Sequence, residues 1–282
     1  MRFATIVENG HLSVALIRDQ RLLPLTIPDA GLDSVRSIAS SGAAGLQRIR
    51  DWVRRQPERM YRSMADLELG PAVPDPGAIY TIGLNYAPAG DVDGAAPQRP
   101  LVYAKLPTSV SGHESVVTWD RSLTADVDPE SELGVVIGET ADAVAPEEAM
   151  EHVFGYTCIN DMSSRDPWLD GDQWLLGKSF AGFCPVGPCV VTPDEVAPGD
   201  LRLGCTVNGV PIQDDSTAHM RSSIAEVISY ISRHTVLRPG DLIATGTPSR
   251  LAGPMGPGRH LQPGDVVTVW VERIGELTTI IG

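Results

Sequence analysis

Two glutamates lie two positions apart in the segment VDPESELGVVIG, residues 127 to 138, just before an apolar run. Residues i and i+2 of a β-strand share one face and lie roughly 7 Å apart, so Glu130 and Glu132 face the same point. Asp161 ends a second apolar run, YTCIND, and adds a third carboxylate at a strand terminus. Three carboxylates offer the oxygen ligands of a hard cation, so we expect Mg²⁺ or Mn²⁺ at Glu130, Glu132 and Asp161.

The alternative for an E-x-E pair is two exposed side chains at a strand end, and the third acid is what favours a metal. Carboxylates this close repel one another, and a bound cation removes that repulsion. Leu133, Val135 and Ile137 fall on the opposite face of the strand and are expected in the core. Gly134 and Gly138 are expected to keep the acidic face open to an approaching ligand.

The composition excludes several classes of function. The chain has 282 residues, of which 42% are hydrophobic, enough to bury a substantial core. A formal net charge of −14, without a cluster of Lys and Arg, argues against a nucleic-acid partner. The start, MRFATIVENGHLSV, lacks the features of a signal peptide, and no apolar run approaches the roughly 20 residues that span a bilayer. We expect a cytoplasmic protein whose four cysteines are reduced and mostly buried.

The first 70 residues differ in pattern from the rest of the chain. MRFATIVENGHLSVALI consists of two alternating runs around an Asn-Gly pair, which favours the positive φ angles of a tight hairpin turn. From Leu32 to about Met64 apolar residues recur at helical spacing, and three prolines in GPAVPDPGAIY then break the pattern. We predict a small N-terminal α+β domain over residues 1–70 and a catalytic domain over residues 71–282.

Short strand-like runs separated by turns dominate the second part. The tripeptide Pro-Gly-Asp occurs at 198–200, 239–241 and 263–265, each time before an apolar run. Pro followed by Gly suits a type II turn, so each copy marks the entry to a strand. CTVNGVPIQ is a second Asn-Gly hairpin, and Ser223 with Glu226 forms a capping box ahead of a helix. The predicted fold class is α+β, mainly β, with mixed β-sheets and few helices.

Seven segments occur in the same order as in a known family. They are IGLNYA, VDPESELGVVIG, GYTCINDMSSRD, LLGKSFAGFCPVGP, VNGVPIQ, LRPGDLIATGTPS and LQPGDVVTV. Through them the chain from about residue 70 to residue 282 resembles the fumarylacetoacetate hydrolase family. The resemblance is to its smaller bacterial members, such as acylpyruvases and 2-hydroxyhepta-2,4-diene-1,7-dioate isomerases. The ordered set is specific in a way that no single motif is.

The resemblance implies a mostly β catalytic domain, usually dimeric, with a divalent metal at the E-x-E pair and the later aspartate. Lys178 in GKSF matches the family's active-site lysine, whose charge neutralises an oxyanion or helps to move a proton. Thr247 in TGTP matches the residue that holds the substrate carboxylate. Arg165 is either the partner of Asp166 in a structural ion pair or a clamp on the substrate. The expected substrate-binding residues are Tyr86, Trp168, Gly246 and Arg250.

The chain departs from the family at the lid that closes over the metal. Hydrolytic members carry a histidine after NYA and a glutamate three residues later, and this pair activates the attacking water. This chain has Ala89 and Val92 at those positions, in NYAPAGDVDGAAPQRP. Trp168 and Arg250 also replace the family's usual glutamine and glycine, which predicts a more aromatic and more cationic pocket. The side chains considered as replacements for the missing base are Asp91, Asp93, His113 and His219.

A 2-oxo acid or β-dicarbonyl chelates such a metal through its carboxylate and keto oxygens, and the metal stabilises the enolate formed when an adjacent bond breaks. Without the lid base, we expect enolate chemistry that needs no activated water, namely isomerisation or tautomerisation, decarboxylation, or a lyase or cyclase step. One alternative is C–C bond hydrolysis of the acylpyruvate or fumarylacetoacetate type with a relocated base. Another is a catalytically silent metal-binding scaffold. The expected partners are a small-molecule substrate and a second copy of the chain, with no nucleic acid and no membrane.

Overall fold

A long mixed β-sheet forms the centre of the computed structural model, which describes residues 1–28, 30–87, 99–253 and 258–282. Nineteen strands occur in these ranges and are numbered along the chain. The first ten are Arg2–Glu8 (β1), His11–Arg18 (β2), Arg21–Pro24 (β3), Arg62–Ser63 (β4), Glu68–Leu69 (β5), Ile79–Gly83 (β6), Leu101–Lys105 (β7), Val110–Ser111 (β8), Ser115–Val117 (β9) and Val127–Asp128 (β10). The other nine are Ser131–Ile137 (β11), Val153–Asn160 (β12), Ser163–Ser164 (β13), Cys184–Val191 (β14), Arg202–Val207 (β15), Val210–Ser216 (β16), Leu242–Ala244 (β17), Val266–Val271 (β18) and Gly275–Ile281 (β19).

Helices are fewer and mostly short, and six lie in the same ranges. They are Val35–Ser40 (α1), Gly42–Val53 (α2), Pro146–Ala149 (α3), Pro167–Asp172 (α4), Trp174–Gly177 (α5) and Ile224–Ser232 (α6). The capping box predicted for α6 is present, because Ser223 and Glu226 each bond the other's backbone amide. None of the helices in the described ranges has the length and apolar character needed to cross a membrane. All four cysteines are buried free thiols, as predicted, and the α+β, mainly β fold class is confirmed.

Twelve strands form the long sheet, in the order β4-β3-β2-β1-β14-β12-β11-β17-β6-β7, with β5 beside β1 and β8 beside β14. A second sheet has five strands in the order β16-β15-β18-β19-β9, and β10 pairs with β13. Both predicted Asn-Gly hairpins are confirmed, one between β1 and β2 and the other between β15 and β16. At the first turn Asn9 and Gly10 have φ angles of 52° and 76°, as such a turn requires.

The N-terminal region joins the same long sheet as the rest of the chain, since β1 pairs with β14. The helical stretch predicted to reach Met64 is shorter than expected, because α2 ends at Val53 and Arg62–Ser63 pairs with β3. Strand pairing with a distant part of the chain overrides local helical spacing there. The division into two domains at residue 70 stays a prediction.

Glu130 directly precedes β11 and Glu132 lies in it; this strand is placed between β12 and β17 in the long sheet. The expectation that Gly134 and Gly138 leave this face open is wrong. A Cβ atom at Gly134 would lie 2.7 Å from Ile159 Cδ1 and 2.8 Å from Thr157 Cγ2, and one at Gly138 would lie 2.9 Å from Phe154 Cβ. These glycines therefore make room for side chains of β12. As predicted for the face opposite the glutamates, the larger hydrophobic core contains Leu133, Val135 and Ile137.

Candidate active site

The three predicted metal ligands meet at the ends of two neighbouring strands. β11 and β12 run antiparallel, and the Asp161 amide donates to the carbonyl oxygen of Glu130 at 2.9 Å. Carboxylate oxygens of Glu130, Glu132 and Asp161 all lie within 4.8 Å of one another, and the three side chains are buried. The structure brings these residues together, and their role as metal ligands stays a proposal. We refer to them below as the acidic triad.

Burial and neighbouring charges set the protonation of the acidic triad. Burial, followed by the charges of Asp161 and Glu130, holds the pKa of Glu132 well above its ordinary value. Burial acts in the same direction at Glu130, but the charges of Lys178 and Arg165 outweigh it and lower its pKa to about 2. Side-chain cations therefore balance Glu130, whereas Glu132 favours a proton or another cation.

Two buried lysines hold the Asp161 carboxylate from both sides. Lys178 Nζ lies 2.6 Å from Asp161 Oδ2 and 3.1 Å from Glu130 Oε2. Lys105 Nζ lies 2.6 Å from Asp161 Oδ1 and also donates to the carbonyl oxygen of the next residue at 3.0 Å. Burial lowers the pKa of Lys178, but the charges of Asp161 and Glu130 raise it more, so its ammonium group stays protonated.

These two residues are the only lysines of the chain, since all the others of its 22 Lys and Arg residues are arginines. The side chains of Lys105 and Lys178 are 0% and 7% exposed. A lysine ammonium is a compact point charge, whereas a guanidinium is planar and larger. Lys105 was not among the predicted site residues, and the scarcity of lysine is the signal that points to it.

The donor set of the acidic triad fits a hard divalent cation. All of its ligand atoms are carboxylate oxygens, and Glu132 Oε2 accepts a hydrogen bond from the Gly246 amide at 2.7 Å. A cation beside Glu132 would balance the charges that raise the pKa of that carboxyl. Oxygen ligands without His or Cys suit Mg²⁺ or Mn²⁺ better than Zn²⁺.

Arg165 connects the acidic triad to a further aspartate. Its Nη2 donates to Glu130, and its Nε lies 3.2 Å from Asp128 Oδ2. Asp166, the partner considered in the structural alternative, instead accepts hydrogen bonds from the hydroxyl groups of Thr124 and of a neighbouring serine. Arg165 therefore lies beside the triad and has its ion pairs with Asp128 and Glu130.

Asp128 gathers three cationic or titratable side chains at the wall of the site. Its Oδ1 accepts a hydrogen bond from Arg250 Nη1 at 3.2 Å and lies 2.9 Å from His260 Nδ1, while its Oδ2 faces Arg165. Asp128 was not predicted as a site residue. It precedes Glu130 by two positions, the same spacing that singled out the E-x-E pair, and that spacing would have found it.

A pocket of about 560 Å³ includes the acidic triad in its wall. Two aromatic rings of this wall, those of Tyr103 and Trp174, stack with their centroids 4.6 Å apart. Trp168, which was expected to bind substrate, is 63% exposed on α4 and is not among the described residues that line the pocket. Arg221 and Gln213 also line it and were not predicted. The predicted residues that do line the pocket are Tyr86, Arg165, Lys178, Thr247 and Arg250.

Hydrogen bonds hold the TGTP loop, residues 245–248, against β11. Thr247 Oγ1 donates to the Ser131 carbonyl oxygen at 2.9 Å and accepts from Gln213 Nε2 at 2.8 Å. Gly246 has a φ of +103°, and a Cβ atom there would lie 2.7 Å from Asn85 Cβ, so glycine is required by both conformation and space. The loop therefore packs closely against the sheet at one edge of the pocket.

The predicted replacements for the lid base are not gathered at this pocket in the part of the chain that the structure describes. His113 Nδ1 accepts a hydrogen bond from the Thr278 amide at 3.2 Å, and His219 lies 2.5 Å from Asp215 in an exposed pair. Neither histidine is among the described lining residues. Outside the described residues lie Ala89, Asp91, Val92 and Asp93.

The fold and this pocket define a class of protein. Residues 78–281 match the model of the C-terminal domain of fumarylacetoacetate hydrolase. The chain belongs to the fumarylacetoacetate hydrolase family, so the predicted resemblance is confirmed.

Three solved structures show how closely the fold is shared. The fumarylacetoacetate hydrolase of Exiguobacterium antarcticum is 31% identical, with a TM-score of 0.87, over 100% of this chain and 99% of its own. The 2-hydroxyhepta-2,4-diene-1,7-dioate isomerase of Mycobacterium marinum is 26% identical, with a TM-score of 0.78, over 100% and 98%. The maleylpyruvate hydrolase of Sphingobium sp. SYK-6, solved with manganese(II) and pyruvate, is 25% identical, with a TM-score of 0.80, over the full length of both chains.

Proposed function

We propose that this protein is a divalent-metal-dependent enzyme that acts on a 2-oxo acid or β-dicarbonyl through an enolate. The observation that carries the proposal is the buried acidic triad, with oxygens within 4.8 Å of one another and a raised pKa at Glu132. When bound there, Mg²⁺ or Mn²⁺ supplies a Lewis acid for the carboxylate and keto oxygens of such a ligand. The Sphingobium relative was solved with an ion and a 2-oxo acid of these kinds.

The pocket side chains have distinct roles in this proposal. Lys178 lies in the pocket wall with its ammonium group beside Asp161 and Glu130, so it is suited to stabilise negative charge on a substrate oxygen. Arg165 and Arg250, both held by Asp128, add positive charge to the wall for a substrate carboxylate. Tyr86 also lines the pocket, and we assign it to the substrate-binding wall.

The reaction that we favour breaks a bond next to the keto group and leaves its electron pair in the enolate. From a C–H bond the proton passes to solvent water, and from a C–C bond the other carbon leaves as CO₂ or as the carbon of a second carbonyl compound. Isomerisation or tautomerisation, decarboxylation, and a lyase or cyclase step all follow this course without an activated water. Ala89 and Val92 occupy the positions where hydrolytic relatives are expected to carry the base, which supports this choice. The isomerase from Mycobacterium marinum is a relative of the non-hydrolytic kind by name.

Hydrolysis of a C–C bond with a relocated base is the second candidate, and the relatives named as hydrolases favour it. Water would be the co-reactant, and an acylpyruvate would yield pyruvate and a carboxylic acid. A catalytically silent scaffold is the third candidate. The pairing of a complete acidic triad with two buried lysines argues against it, because a scaffold has no need of Lys178 in the pocket wall.

The proposal also includes a homodimer in the cytoplasm. Exposed apolar side chains on α4 and α5 support a self-contact, since a second copy would remove them from water. Sedimentation velocity of the purified chain tests the dimer. The apolar side chains concerned are Trp168, Leu175 and Leu176.

Purified protein with Mn²⁺ or Mg²⁺ tests the reaction directly. Exchange of the C3 protons of a 2-oxo acid in D₂O without cleavage supports the favoured reaction, whereas turnover of acylpyruvates to pyruvate and an acid supports hydrolysis. Glu132→Ala is expected to abolish either activity, together with Mn²⁺ binding measured by calorimetry. Full activity in Glu132→Ala would contradict the metal assignment, and metal binding without either reaction would identify a scaffold.

A further inference from the structure

Gln213 is a buried residue of β16 whose side chain reaches from the five-stranded sheet to the strand that carries the acidic triad. Its Oε1 accepts a hydrogen bond from the Ser131 amide at 2.9 Å. Its Nε2 donates to Thr247 Oγ1 at 2.8 Å and to the Pro248 carbonyl oxygen at 2.6 Å. The orientation of the Gln213 amide is fixed by these partners, because the Ser131 amide can only donate and the Pro248 carbonyl oxygen can only accept.

These contacts set the direction of the proton on the Thr247 hydroxyl. Thr247 Oγ1 accepts from Gln213 and lies 2.9 Å from the Ser131 carbonyl oxygen, which can only accept. The single hydroxyl proton therefore points at Ser131. Three hydrogen bonds then form a closed ring, which we call the Ser131 ring, through the Ser131 amide, Gln213, Thr247 and the Ser131 carbonyl group.

The Ser131 ring completes the edge of β11 where β17 no longer reaches it. β17 ends before Gly246, whose amide donates to the Glu132 carboxylate. Ser131 is 0% exposed, so its amide and carbonyl groups need hydrogen-bond partners within the protein. Gln213 and Thr247 supply these partners with side-chain atoms. Leucine would fill a similar volume at position 213, so packing alone does not require glutamine there.

The two bonded groups of Ser131 belong to the two peptide planes that separate the glutamates. The Ser131 N–H lies in the plane that joins it to Glu130, and the Ser131 C=O lies in the plane that joins it to Glu132. Each peptide unit is planar, so one hydrogen bond to each restrains the φ and ψ angles between the two planes. The Ser131 ring therefore restrains how the two glutamates are aimed relative to each other.

We propose that Gln213 is a positioning residue that acts through the Ser131 ring to keep Glu130 and Glu132 directed at one bound cation. Thr247 belongs to the same ring, so its hydroxyl orients the glutamates and does not donate to a substrate carboxylate. Hydrogen bonds behind metal ligands raise affinity by holding the ligands in place. Gln213 has this role only if the acidic triad binds a divalent cation, so the inference rests on the proposed function.

Calorimetric titration of the full chain with Mn²⁺ alone tests the ring. Gln213→Leu and Thr247→Val are each expected to weaken Mn²⁺ binding by about tenfold. The double variant should bind Mn²⁺ within about twofold of the weaker single variant, because either substitution opens the same ring. Thr247→Ser keeps the hydroxyl and is expected to retain wild-type affinity. If Gln213→Leu does not fold, Thr247→Val and Thr247→Ser decide the test alone.

Thr217 supplies a matched control. Its Oγ1 accepts a hydrogen bond from the Leu201 amide at 2.9 Å and donates to the Pro198 carbonyl oxygen at 2.7 Å. Thr217 is 4% exposed and is not among the described residues that line the pocket. Thr217→Val therefore removes one donated and one accepted bond, as Thr247→Val does. It is expected to lower the melting temperature and to leave Mn²⁺ affinity unchanged.

Unchanged Mn²⁺ affinity in Gln213→Leu and Thr247→Val would refute the positioning role and leave the proposed function standing. Weaker oxalate binding in Thr247→Val at wild-type Mn²⁺ affinity would refute it as well, because Thr247 would then contact the substrate. Additive losses in the double variant would show that the two side chains act separately, and an equal loss in Thr217→Val would assign the effect to stability in general. If wild-type protein binds no Mn²⁺, the proposed function fails and this inference fails with it.

Discussion

The ammonium group of Lys105 lies 2.6 Å from Asp161 Oδ1, and both side chains are almost fully buried. Lys178 holds the other oxygen of the same carboxylate at 2.6 Å. Removing one partner of a buried ion pair leaves an uncompensated charge, at a cost of about 3–5 kcal/mol. The two ammonium groups therefore hold the Asp161 carboxylate in place at the pocket wall.

Lys105→Met is expected to lower the free energy of unfolding by about 3 kcal/mol, because Asp161 loses one of its two buried cations. The double variant with Asp161→Asn should recover part of the loss, since it removes the charge left behind. Urea unfolding followed by tryptophan fluorescence measures both. Arg202→Gln, which breaks an exposed pair with Asp214, is the control and should cost less than about 1 kcal/mol. A loss at Lys105→Met no larger than in this control would contradict the prediction.

Glu132 is expected to give the metal-free protein a distinctive pH dependence. Its folded-state pKa lies above the ordinary value of 4.5, so the fold prefers the protonated form. That stabilisation is fully present below the unfolded-state pKa and is lost as the pH rises through the folded-state pKa. Thermal unfolding of metal-free protein should show wild type losing stability relative to Glu132→Gln as the pH rises above about 4.5. With saturating Mn²⁺, wild type should instead be more stable than Glu132→Gln. A difference in stability between the two metal-free proteins that does not change with pH would contradict the raised pKa.

His113 is expected to respond to pH in the opposite direction. Burial lowers its pKa, and the hydrogen bond that its Nδ1 accepts from the Thr278 amide requires the neutral ring. The stabilisation is present above the ordinary value of 6.5 and is lost as the pH falls through the lowered pKa. His113→Asn keeps an acceptor that does not titrate, so it should lose less stability than wild type between about pH 7 and pH 5. In thermal melts, identical pH dependence of wild type and His113→Asn would count against the prediction.

Gly134→Ala is expected to lower the free energy of unfolding by about 1–3 kcal/mol, because the new methyl group would overlap Ile159 and Thr157. Ile159→Val in the same chain should recover part of the loss, because it removes Cδ1, one of the two Ile159 atoms at 2.7 Å. Urea unfolding of the single and double variants measures the coupling. A stability equal to that of wild type would mean that this face of β11 accepts a side chain after all.

Arg250→Gln is expected to weaken the binding of oxalate to Mn²⁺-loaded protein by about three- to tenfold, because it removes one positive charge from the pocket wall. Arg250 is held by Asp128, so the substitution also removes one of the side chains that balance this aspartate and leaves it with Arg165 and His260. Calorimetric titration measures the change. Arg202→Gln alters the net charge by the same amount at the surface and should leave the affinity for oxalate unchanged. An equal loss of affinity in Arg202→Gln would mean that the net charge of the protein, and not the position of Arg250, causes the effect.

The acids of the triad could be predicted because their signal is local. Glu130 and Glu132 are two positions apart, and Asp161 follows an apolar run, so strand periodicity alone brings them to strand ends. Lys105 could not be reached in this way, since it is separated from Asp161 by 56 positions and meets it only through the pairing of whole strands. The order of β11, β17, β6 and β7 in the sheet is not written in any single segment.

Trp168 and Gly134 show the limits of the same local reasoning. Two tryptophans lie six positions apart, and only the packing of α5 against β7 decides that Trp174 stacks on Tyr103 while Trp168 faces solvent. Gly134 has no side chain, and the sequence does not tell whether a ligand or a neighbouring strand occupies that space. Here β12 occupies it.

Both lysines of the chain are buried in one place, so an amine-directed acylating reagent meets no exposed lysine while the fold is intact. Acylation of Lys105, which is 0% exposed and is not among the described residues that line the pocket, then requires the centre of the molecule to open, and its rate measures how often that happens. The rate at which Lys105 gains the mass of one acyl group would thus report local opening at the centre of the fold, with no need to introduce a label.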